Sequence, residues 1–465
     1  RLLFVFVINQ FLGQVCDGPE QQQDGRGTEH GRHGVDTHSN LADVAAGKRP
    51  LTYVLSGNLS GWEGAFESGS GAVTLKLSGN ATTMNAAIAK GAGSLAVATE
   101  VGVLFNKNIT ATSLTVGGVK DELKATATLG SLVLNKDLHL LAGAVLTTDG
   151  ISGNAWLKVA GDSTINLNGS ADVDHTRIHN LGAYAATINV GGSEDVGIHS
   201  IYQDNSGVAA GTFDVVLNNG AKTTVKDWLT VNSVTITNGE EMEAANHRIG
   251  ALNVLSGSGT FTSGSAIGSD NHTVNSVSIS SGSSLTFGNT AAATITSLTL
   301  GTGSTMTVGS AENHGYDLTT TTLTVNGNST INADLVVSGS GAEITFAKGA
   351  VLTMGCDVTI SGANVYVTID GTFDDFMADL RNGNSTLVVI DGLASADEAK
   401  ALTLSGLYVT DSTGNQFTNN ELGLKVVENN YTSNGAYCIV VAPEPATATL
   451  SLLALAALAS RRKRH

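Results

Sequence analysis

The chain has 465 residues, with 41 acidic side chains against 24 basic ones for a net charge of -17, and it carries 56 glycines but only 4 prolines and 3 cysteines. Such acidity sets it against the phosphates of nucleic acid, and three cysteines do not build a disulfide framework. With 5% aromatic and 14% charged residues and an abundance of Ser, Thr, Asn, Val and Leu, the composition is that of a β-rich, turn-rich extracellular chain.

Residues 1–16 come first. Arg1 precedes an apolar run over residues 2–8, and residues 13–16 sit where a leader would be cut, so this stretch reads as a signal peptide whose start is truncated. Residues 17–50 shift to Gln, Gly, His and charge, including Gln21, Gln22 and Gln23, and read as a disordered linker.

The body, residues 51–365, repeats. Pieces of the form small, apolar, polar, apolar recur as TSLTV from Thr112, GSLVL from Gly130, NSVTI from Asn232, GALNV from Gly250, NSVSI from Asn275, TSLTL from Thr296 and TTLTV from Thr321. Each places two apolar side chains on one face of a strand. Glycine-led partners interleave: GAVLTT from Gly143, GDSTIN from Gly161, GSSLTF from Gly282, GSTMTV from Gly303, GNSTIN from Gly327 and GAVLTM from Gly349. The starts at Gly282, Gly303, Gly327 and Gly349 are almost evenly spaced, and their short period suits one coil of a β-solenoid.

One coil cannot bury its apolar face alone, whereas coils stacked about 4.8 Å apart bury it continuously and satisfy each other's backbone groups. The expected fold is therefore all-β, a right-handed parallel β-helix of about 14 coils; a pair of antiparallel β-sandwiches fits the short spacing less well. On these repeats the body resembles pectin-lyase-like and autotransporter-passenger-like β-helix proteins. Residues 366–442 break the pattern. Residues 373–381 and 395–402 have helical character, the second with Ser395 as N-cap and Asp397 and Glu398 in its first turn. Two hairpins follow, LYVTDSTGNQF and LGLKVVENNYTSNGAYCIVVA, and the whole reads as an α+β cap closing the open end of the solenoid.

Residues 443–465 have three ordered parts. Pro443, Glu444 and Pro445 break the chain, residues 446–460 form a short hydrophobic helix, and Arg461, Arg462, Lys463 and Arg464 follow before the end. About 15 residues at ~1.5 Å each span ~22 Å, short of a ~30 Å hydrocarbon core, so a permanent anchor is not expected. The basic residues hold that end on the cytoplasmic side. The segment resembles the PEP-CTERM sorting signal of Gram-negative bacteria. The resemblance implies recognition by an exosortase-type processing peptidase, transient attachment to the inner membrane through residues 446–460, and cleavage near the motif with release to the cell surface or extracellular matrix. It implies nothing about the activity of the body.

The densest polar constellation lies in ADVDHTRIHN: Asp172, Asp174, His175, Arg177 and His179. Placed on one strand face, Asp172 and Asp174 would supply the paired carboxylates of a β-helix polysaccharide hydrolase, with His175 beside them. A lyase would need carboxylates holding calcium and a basic proton acceptor. No second acid–base cluster recurs on neighbouring coils, so no catalytic residue is assigned, and no cofactor fingerprint or metal spacing is present. Trp62, Trp156 and Trp228 are candidates for sugar stacking, with core packing the better expectation for at least two. Asp374 and Asp375 read as helix-start residues, and Cys356 and Cys438 either pair or stay separate buried thiols. The function expected is a structural or adhesive surface protein that contacts extracellular polysaccharide or a host glycan; the alternative is a surface-displayed β-helix polysaccharide hydrolase or lyase.

Overall fold

The computed structural model describes residues 51–443 apart from 57–59, 61–63, 80–82, 170–173, 175, 183, 204–212, 219, 289, 291, 310–315, 383–385 and 419–421, together with the strand pieces Phe6–Val7 and His33–Val35. The rest of the leader and linker, Glu444, Pro445, the segment 446–460 and Arg461, Arg462, Lys463 and Arg464 lie outside the described residues. Among the described residues no helix is long and apolar enough to cross a membrane.

The chain is all-β and forms a parallel β-solenoid of about 13 turns. It divides into two compact units, Arg1–Val234 with Met242–Ala245, and Thr235–Glu241 with Asn246–His465. In the first, Leu75, Val97, Leu114, Leu132 and Ile151 lie opposite one another on successive coils, and all are buried. In the second, Val277, Leu298, Leu323, Ile344, Val365 and Leu407 make the equivalent buried column. Each such side chain contributes on the order of 1.5–3 kcal/mol by leaving water, while the parallel ladders pair the backbone on either side. Among the described residues, the largest fully buried side chains include Phe105, Phe213, Phe261, Phe287 and Phe346.

The recurring polar-small pair marks a corner. In the strand Ile109–Val116 the alternation of buried and outward residues is interrupted once, where Thr112 and Ser113 both point away from the core before Leu114 and Val116 return to it. Asn275 and Ser276, and Thr296 and Ser297, repeat that break. Gly282 and Gly303, each with φ 71°, occupy tight turns in the left-handed region. The coils are less even than the glycine spacing suggests. Leu114 faces Leu132 and Leu132 faces Ile151 across short coils, whereas the coil that brings Leu298 opposite Leu323 is distinctly longer.

After Val358–Thr368 the chain adds the helix Phe373–Asn382, which buries Phe376, Met377 and Leu380. Thr372 caps it: its hydroxyl accepts the Asp375 N–H at 3.3 Å and donates to the Asp375 carboxylate at 2.7 Å. Asp374 and Asp375 thus belong to a helix start. The two hairpins are present as Ala399–Thr410 with Gln416–Thr418, and Leu422–Glu428 with Tyr437–Pro443.

The helix expected over residues 395–402 does not form. Only Ala396–Glu398 makes a single 3-10 turn without a side-chain cap from Ser395, and Ala399–Thr410 runs as a strand alongside Val358–Thr368. Pairing with an existing strand satisfies the backbone that a short isolated helix would leave to water, and it overrides the local helix signal. Cys356 and Cys438 are two separate buried thiols.

Candidate functional site

The constellation around residue 174 lies at the edge of an outward face in the first unit. Asp172 and His175 lie outside the described residues. Asp174 is in an exposed turn, not on a strand, because the strand begins only at Arg177, where pairing with Trp156 starts. Its carboxylate is ion-paired with Lys226.

Four strands build the face: Leu138–Leu140, Trp156–Val159, Arg177–Asn180 and Ser200–Gln203. Their buried partners, among them Leu138, Leu157, Ile178 and Ile201, force the alternate residues outward. In-register stacking then makes a column of His139, Lys158, His179 and Tyr202, with Trp156 beside Arg177 in the next. The Arg177 guanidinium lies 5.6 Å from the centre of the Trp156 ring. The His179 ring is 5.4 Å from Trp156 and 5.2 Å from Tyr202. Arg177 also approaches His199 Nε2 at 3.5 Å.

Charges on this face are committed to neighbours. Lys158 Nζ sits 2.6 Å from Asp137 Oδ2, and Asp137 Oδ1 accepts the Trp156 N–H at 3.0 Å. Partial burial pushes the Asp137 carboxyl up, but the Lys158 hydrogen bond and charge, the Trp156 N–H and His139 together hold it below its ordinary range. Burial, then the Lys158 charge, lowers His139; burial, then the Arg177 charge, lowers His199. Both shifts favour the neutral imidazole. A hydrolytic carboxyl pair needs one acid held protonated, and Asp137 is held the opposite way. Trp156 and Trp228 are half-exposed, not core residues as expected, because their positions alternate with the inward ones, such as Leu157 and Leu229; Trp62 lies outside the described residues.

A second outward feature was not singled out in the sequence. On the strands Val145–Thr148, Ser163–Leu167, Ala186–Val190 and Phe213–Leu217, residues Thr147, Asn166, Asn189 and Val216 stack in register. Asn189 Nδ2 donates to Asn166 Oδ1 at 2.8 Å, and Asn166 Nδ2 donates to Thr147 Oγ1 at 2.9 Å. Just beyond the strand ends, Asn168, Gly191 and Asn218 follow Leu167, Val190 and Leu217 on successive coils. Val216 breaks the first column's run of polar side chains, Gly191 leaves the second without a side chain, and a groove of about 380 Å³ lies beside them. Its trace in the sequence is the echo of TINL at Thr164 in TINV at Thr187, which does not by itself set the register.

Comparison with known protein families, with curated proteins and with solved structures finds no match.

Proposed function

We propose that this is an exported bacterial surface or matrix protein whose right-handed β-solenoid serves as a structural or adhesive element. Residues 366–442 cap the stack, and the Pro443, Glu444, Pro445 segment is the address read by an exosortase-type peptidase after transient insertion of residues 446–460 in the inner membrane. The observation that carries the non-enzymatic reading is the pairing of carboxylates on the outward face around Trp156: Asp137 with Lys158 and Asp174 with Lys226. Those pairs tie coils together, and Asp137 is held away from the protonated form a glycosidic acid requires.

The purified chain is expected to release no reducing ends or unsaturated products from uronic-acid, mucin-type or neutral glycans. Depolymerisation that disappears in Asp174→Asn would replace this reading with a surface-displayed hydrolase or lyase. Sorting is tested separately. Mass spectrometry of surface material should find a C-terminus near Pro443 and no peptide containing Arg461 to Arg464; recovery of the intact end would overturn the address reading.

A further inference from the structure

We propose that the groove over Gly191 and Val216 is a binding site for a neutral hexose chain, held by Asn166, Asn168, Asn189 and Asn218. This rests on the adhesive form of the reading above and names its ligand class. Three observations point the same way.

The first is the chemistry of the lining. The groove is walled by Thr147, the four asparagines and Val216, without a charged side chain. A carboxamide offers two donors and an acceptor on one small group, which matches a vicinal diol, whose hydroxyls both donate and accept. A uronate or phosphate would enter with no cation to meet it and against the net charge of -17. The Val216 methyls give an apolar patch for the C–H face of a sugar ring.

The second is an interrupted hydrogen-bond ladder. Each amide passes one N–H down the column, from Asn189 to Asn166 to Thr147. On the next coil the ladder meets Val216, which cannot donate, so the Asn189 carbonyl oxygen ends the chain without a donor from the column. Here it stops at a groove large enough for a ligand.

The third is the missing side chain at Gly191. A Cβ there would stand 3.2 Å from Asn168 Oδ1, so the space in front of that carbonyl exists because the residue is glycine. That space is part of an open groove of about 380 Å³ lined by residues of four successive coils.

The test is titration calorimetry of the full chain with cellotetraose, laminaritetraose and maltotetraose, with tetragalacturonate as the acidic counterpart. At least one neutral tetraose is expected to bind, and tetragalacturonate at least tenfold more weakly. Asn189→Ala should weaken binding about tenfold, the loss expected for hydrogen bonds to a groove-end amide. Gly191→Val should abolish it by filling the groove. Lys158→Gln, on the other outward face, should leave it unchanged.

Thermal melting shows whether each variant folds; if Gly191→Val does not, Gly191→Ala takes its place, since its Cβ alone would stand 3.2 Å from Asn168 Oδ1, and it should weaken binding. Absence of neutral-glycan binding at millimolar concentration, binding indifferent to the groove variants, or preference for tetragalacturonate each overturns the assignment. Surface fractionation of the same chain reads location independently, so loss of the ligand assignment is distinguishable from loss of the export reading.

Discussion

His247 shows how a buried titratable side chain makes stability depend on pH. Its ring is fully buried, with Nδ1 3.2 Å from the Thr273 carbonyl, Nε2 2.9 Å from Ser263 Oγ and the His272 ring centre 5.4 Å away. Burial, against a raising hydrogen bond to Thr273, lowers its pKa to about 4. The unfolded chain takes up this proton near pH 6.5, well before the folded one does. Stability from this group is therefore complete above about pH 6.5 and is lost as the pH falls toward 4, by on the order of 3 kcal/mol. Urea unfolding of wild type and His247→Gln at pH 7 and pH 4.5 should show a smaller pH effect in the variant; equal effects would remove His247 from the account.

Asp121 has the opposite sign. Its carboxyl accepts the Val103 N–H at 2.7 Å, the Gly118 N–H at 3.1 Å and the Thr99 hydroxyl at 2.6 Å, yet burial dominates and raises its pKa. The folded chain holds this proton to higher pH than the unfolded one, so the contribution is greatest in acid and declines as the pH rises through the folded value. Asp121→Ala should cost about 1–3 kcal/mol at neutral pH by orphaning those donors. Asp121→Asn should cost less and flatten the pH dependence, as denaturant midpoints would report.

Among the elements, the outward strands gain from what stacking places side by side. The Trp156–Arg177 contact should show a coupling of about 0.5–1 kcal/mol in a double-mutant cycle with Trp156→Leu and Arg177→Met; zero coupling would reduce the contact to coincidence. The strands themselves were legible because TSLTV and its relatives carry both the buried pair, as in Leu114 and Val116, and the small polar residues that turn the corner. The helix over residues 395–402 was misread because its local cap signal was weighed without the neighbouring strand Val358–Thr368 that claims it. The groove was not legible because its columns obey spatial register, not an average period. Asn166 lies opposite Asn189, and the position just before that partner is Ile188, which is buried. A slip of one residue exchanges the outer face for the inner one, so a period known only on average cannot assign either face.

For the molecule as a whole, stability should be close to a sum over coils and their interfaces. Deleting residues 276–296, which joins Asn275 to Ser297, removes one coil and brings Ser297 to the register position that Ser276 held. That variant should keep its β circular dichroism and cooperative melting at reduced stability. Deleting only residues 276–286 should abolish the cooperative transition, since it puts buried residues outside; a folded product would overturn the coil-additive account. In-register stacking also turns each outward column into a ruler with a mark about every 4.8 Å. A polymer lying along a uniform column could slip by one mark at little cost and would have no preferred position. A column broken once, as at Val216 and Gly191, has a zero point, and a chain-like ligand seated there stops at a defined place on the protein.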